Sequence, residues 1–130
     1  MRSDKGATLI EAAFIIPFVL LLVLGVADLG RAFFDAAKVQ EAAQEGAIYA
    51  SLNPGSPGDA VARAEETIQS PDFTGSITIT CPSTDQVTVT VSYTFNLVTP
   101  IMSNLVGNSL DLTHSETARV LSSDTCVPSP

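Results

Sequence analysis

The residue with the clearest chemical consequence is Glu11, the only charged side chain between Lys5 and Asp28. A carboxylate inside an apolar run is rare enough to call for a specific role, because burying its charge without a partner is costly. Two other sets of residues offer chemistry. Cys81 and Cys126 can form one disulfide, and His114 lies close in sequence to Asp111 and Glu116. On a strand, His114 and Glu116 share a face while Asp111 points to the other, so these three make a poor metal triplet. A surface histidine is the simpler reading. No G-x-S-x-G elbow, Cys/His pair or glycine-rich phosphate loop occurs, so no enzyme and no cofactor is expected.

The element that positions Glu11 is a long helix. Residues 12–27 contain neither a charge nor a hydroxyl, and sixteen helical residues rise about 24 Å, short of a ~30 Å hydrocarbon core. Adding residues 7–10 gives 21 residues and about 31 Å, enough to span but with Glu11 inside the apolar segment. The run is longer than a secretory h-region and has no Ala-x-Ala before its closing charges, which argues against conventional secretion. Pro17, Gly25 and Gly30 are candidate kink points.

The leader sharpens the reading. Arg2 and Lys5 precede Gly6, and Glu11 is the fifth residue after that glycine. This resembles a type IV prepilin (class III) leader, which implies a prepilin peptidase cutting between Gly6 and Ala7 to leave a new amine on Ala7. The run Glu11-Ala-Ala-Phe14, then Pro17, a Leu/Val stretch, Gly25, Asp28-Leu-Gly-Arg31 and an aromatic pair resembles the TadE-like pseudopilins of the tight-adherence (Tad or Flp) pilus. Glu45-Gly46-Ala47 and Tyr49-Ala50 continue that likeness. The resemblance covers 6–50 and implies a pilin-like subunit, a minor one given its sizeable domain, assembled through Ala7, Glu11, Phe14 and Pro17. Its implied partners are the peptidase, other pilin or pseudopilin subunits and a pilus assembly platform. If helices stack, one Glu11 carboxylate can neutralise a neighbour's Ala7 amine, removing two buried charges at once. The alternative is a membrane-anchored extracytoplasmic binding module that joins no filament.

Charge agrees with export. The 130 residues carry a net charge of -8, with twelve acids from Asp28 onward against Arg31, Lys38, Arg63 and Arg119. The positive-inside rule puts the amino terminus in the cytoplasm and the carboxyl-terminal part outside the inner membrane, from where it can reach a surface pilus. Without a basic patch, nucleic-acid binding is excluded.

The chain should then divide into a leader at 1–6, a membrane-spanning and extended helix at 7–52, and an exported domain at 53–130. Asn53-Pro54-Gly55-Ser56-Pro57-Gly58 breaks the first helix. Asp59 offers an N-cap for a second, closed by Ser70-Pro71, with Val61, Ala64 and Ile68 on one face. Strict alternation predicts strands over 76–81 and 86–97, joined by a turn at 82–85, and a third over 110–121 after a loop or short helical turn at 99–108. The fold class expected is α+β, a long helix and a short one against a three-stranded antiparallel sheet, as in type IV pilins. In such a meander the first and third strands run parallel, so Cys81 and Cys126 reach the same edge. Export permits their oxidation, and closing the loop would stabilise by about 4 kcal/mol.

Overall fold

The computed structural model describes residues 3–69, 74–97, 103–104, 107–122 and 124–130, with side chains described from residue 6 onward. Arg2 and the Ser70-Pro71 stop therefore lie outside the described residues, as does most of the 99–108 connection. The elements are α1 (Ser3–Leu52), α2 (Pro57–Ile68), β1 (Gly75–Ser83), β2 (Gln86–Asn96) and β3 (Ser109–Arg119). They form the α+β layout anticipated, with strand order β1-β2-β3 and both pairs antiparallel.

α1 is one uninterrupted helix of 50 residues that contains Pro17. None of the candidate kink points breaks it, since helical hydrogen bonding continues on either side of the one bond a proline removes. It stops where Pro54 disfavours helical geometry at Asn53. The Asn53 amide still donates to Tyr49 O at 2.9 Å, and the Ser51 hydroxyl to Ile48 O at 2.7 Å.

α2 begins earlier than expected. Ser56 takes the N-cap position without a side-chain cap bond, Pro57 starts the first turn, and Asp59 sits within that turn. Proline at the first helical position has its φ already set and lacks only an amide that would be unpaired there anyway. The buried face is Ala60, Ala64 and Ile68, with Val61 only partly buried. The helix ends at Ile68, before Gln69 in the left-handed conformation at φ 45°.

All three strands differ slightly from the alternation-based bounds, β2 by ending at Asn96. β1 continues to Ser83 through a bulge between Thr80 and Ser83 that accommodates Pro82, so only Thr84 and Asp85 form the turn. β3 stops at Arg119, because the Leu121 amide instead donates to Ser51 O at 2.9 Å, tying the chain to the end of α1. One sheet face buries Ile79, Val87, Val89, Val91 and Phe95 against the helices. The other is a hydroxyl ladder, with Thr88 bonded to Thr117 at 2.8 Å and Thr90 to Ser115 at 2.9 Å. At Gly46 the layers come close: a Cβ there would lie 3.2 Å from both Ala64 Cβ and Val89 Cγ1.

Cys81 and Cys126 are joined with Cα atoms 6.0 Å apart, closing a separation of 45 residues. Beyond the bridge the tail runs along the outer edge of β1. The Ser129 amide donates to Ile79 O at 3.0 Å, and the Ile79 amide donates to Ser129 Oγ at 2.8 Å. Val127 is tied by its amide to Pro54 O at 2.9 Å. The disulfide thus holds a short strap over an edge that would otherwise offer unpaired backbone groups.

Candidate assembly and processing face

α1 carries its two halves in different surroundings. From Val39 to its end it supplies Val39, Ala42, Ala43, Ala47 and Ala50 to the core, all 2% exposed or less. These small residues let the helix backbone come close to α2 and the sheet. Over 7–27 the same helix touches almost nothing. Leu9 and Phe14 are 71% exposed, and every Ile, Val and Phe from Ile10 to Val26 is more than half exposed.

Gly6, Ala7, Glu11, Phe14 and Pro17 all fall in this uncovered half. A helical turn of 3.6 residues stacks Ala7, Glu11 and Phe14 along one face, with Ala7 about 6 Å from Glu11 along the axis. A Cβ at Gly6 would meet nothing within 4 Å, so the backbone at the Gly6–Ala7 bond is open to approach. Glu11 has no ion pair or hydrogen bond among the described residues. The fold brings none of these five residues against the sheet or α2.

Asp28 was legible only as a member of a short motif, yet it is the one buried acid among the described residues, 5% exposed at the foot of the domain. Arg31, one turn further, approaches it at 3.8 Å and lies 5.5 Å over the Phe95 ring. This fixes the direction of the sheet. Val89 of β2 meets α1 at Gly46 whereas Phe95 meets it at Arg31, so β2 runs antiparallel to α1 and its end points toward the apolar half. The signal that could have found Asp28 is its position, the first charge after the apolar run.

His114 Nε2 sits 3.6 Å from Glu116 Oε2, while Asp111 accepts from the Thr94 hydroxyl on the opposite face at 2.9 Å. Among the described residues no group of three His, Cys, Asp or Glu is placed to hold a metal. At the β1–β2 turn, hydrogen bonds from Ser83 and then Arg119 hold the Asp85 carboxyl below its ordinary pKa of 3.8.

Among the described residues one helix is long and apolar enough to cross a membrane; it is bare over its first half and joined to a disulfide-closed α+β domain. Residues 6–47 match the model of the TadE-like protein family. The match covers about a third of the chain, the part that includes Gly6, Ala7, Glu11, Phe14 and Pro17. No curated protein and no solved structure matches the chain.

Proposed function

We propose that this chain is a minor pseudopilin: inserted with its amino terminus inside, cut between Gly6 and Ala7, and built into or priming a tight-adherence pilus by helix packing. One observation carries the reading. The most apolar part of the molecule is its most exposed part, and it holds a single acid, Glu11, that has no partner among the described residues. Lipid can cover Leu9 and Phe14, but it leaves an acid at this position without a counter-charge. A neighbouring subunit whose amine starts at Ala7 supplies one, and the helix surface around Phe14 and Pro17 supplies the packing. The peptidase, other pilin subunits and the assembly platform are the partners that follow, and the division into 1–6, 7–52 and 53–130 follows from the cut and the helix break.

Glu11→Gln tests the pairing, since it removes the charge and keeps the shape. Sheared surface fractions should lose their pili while the variant stays in membranes at wild-type level. Wild-type piliation in the variant would remove the role assigned to Glu11 and leave a membrane-anchored binding module as the better reading.

A further inference from the structure

Where α1 leaves the apolar segment, an open cleft of about 710 Å³ lies between the helix and the lower end of the sheet. Arg31, Asp35, Thr74, Tyr93 and Asn96 line it, with Phe34 at its side. The volume is in the range of small-molecule sites. Its charges are unusual for this protein: past the leader the chain has four cations, and two of them, Arg31 and Lys38, stand within this stretch of α1. They alternate with acids as Asp28, Arg31, Asp35 and Lys38, spaced three, four and three residues apart on one helix face. Asp28 is the Arg31 partner, and Lys38 rests 4.8 Å over the Phe34 ring. Asp35 is half-buried and has neither an ion pair nor a hydrogen bond among the described residues.

Depth decides the ligand. Counting from Ala27, the last residue of the uncharged run, Arg31 stands about 6 Å further along the axis and Asp35 about 12 Å. The headgroup layer adds roughly 5 to 7 Å on each side of the hydrocarbon core. Arg31 therefore lies at the level of lipid phosphates, and the Asp35 backbone about 5 Å beyond the headgroup layer, a gap its carboxylate narrows because helical side chains lean toward the helix N-terminus, here the membrane side. We propose that this cleft binds the headgroup of a zwitterionic phospholipid, its phosphate on Arg31 and its primary ammonium on Asp35. The Thr74 hydroxyl and the Asn96 amide offer hydrogen bonds to the phosphate oxygens. A phosphodiester accepts charge-assisted bonds from guanidinium, and an ammonium donates them to a carboxylate. An anionic headgroup with no ammonium leaves Asp35 opposed to a like charge.

This rests on the membrane-anchoring part of the proposed function and needs neither cleavage nor filament formation. Recovery of the chain in the membrane fraction reads anchoring separately. The test is native mass spectrometry of the full chain extracted in detergent and titrated with phosphatidylethanolamine, phosphatidylglycerol or water-soluble glycerophosphoethanolamine. Phosphatidylethanolamine should be retained about tenfold better than phosphatidylglycerol. Asp35→Asn should remove that preference, and Arg31→Gln should weaken retention of both lipids about tenfold, each while keeping the wild-type circular dichroism spectrum. Asp35→Asn leaves the Arg31 contacts with Asp28 and Phe95 in place, so it reports on binding even where Arg31→Gln loosens the fold. Equal retention of the two lipids, or wild-type preference in Asp35→Asn, overturns the proposal. Binding of glycerophosphoethanolamine as tight as the whole lipid would assign the cleft to a soluble phosphodiester instead.

Discussion

The two halves of α1 are one continuous helix with opposite relations to the rest of the chain. The distal half is alanine-rich and buried, with Ala42 and Ala43 fully covered. The proximal half is rich in Leu, Ile and Phe and uncovered. Apolar character alone would rank them the other way round. Size is what differs: Ala42, Ala43, Gly46 and Ala47 let two layers approach the helix, as the 3.2 Å spacing at Gly46 shows. Large side chains at 14–24 instead present a broad surface to something outside the chain, a bilayer or other helices, where van der Waals packing replaces burial in a core.

This contrast can be broken most strongly from the distal side. Replacing Cys81 and Cys126 by alanine together should lower stability by about 4 kcal/mol in the chain-entropy estimate for this loop. It should also release the Ser129 strap from Ile79; denaturant unfolding and hydrogen exchange at the Ile79 amide read the two effects. Next in size, Gly46→Val should cost about 3 kcal/mol, since the added branches meet Ala64 and Val89 with no free space. The matching change in the proximal half, Leu20→Ala, should leave domain unfolding within about 0.5 kcal/mol of wild type, because Leu20 is 57% exposed and lies outside the core cluster. A large effect of Leu20→Ala on the isolated chain would show that the uncovered half is covered after all.

The smallest effect is electrostatic and belongs to the hairpin turn. Asp85 has a folded pKa below 3.8, so its bonds with Ser83 and Arg119 stabilise the fold above that value. The contribution is lost as pH falls through the lowered folded pKa. The Asp85→Asn variant should therefore unfold slightly more easily than wild type at neutral pH, and the difference should fade in acid below 3.8. A difference that grows in acid would have the wrong sign for this assignment.

Much of this fold was readable before the structure because its signals are periodic. Val87, Val89, Val91 and Phe95 alternate with Thr88, Thr90, Ser92 and Thr94, and that pattern fixes both the strand and its buried face. The meander then brings Cys81 and Cys126 to one edge. What was not legible depends on single long-range contacts. Ending β3 at Arg119 rather than residue 121 follows from the bond between Leu121 and Ser51, which no local propensity encodes. Starting α2 at Pro57 rather than after Asp59 reflects two competing start signals two residues apart. Gly46 reads as one more glycine in an alanine-rich helix until α2 and β2 are placed against it. Ala7, Glu11 and Phe14 gain no contact with the sheet or α2 among the described residues, so the role proposed for them rests on their types and spacing.

The most direct measurement is the intact mass and amino-terminal residue of the protein taken from membranes of cells with their native peptidases. The account predicts a chain that begins at Ala7, with the Gly6–Ala7 bond cut and a free amine four residues before Glu11. A chain that retains Met1 through Gly6 in such membranes would contradict it.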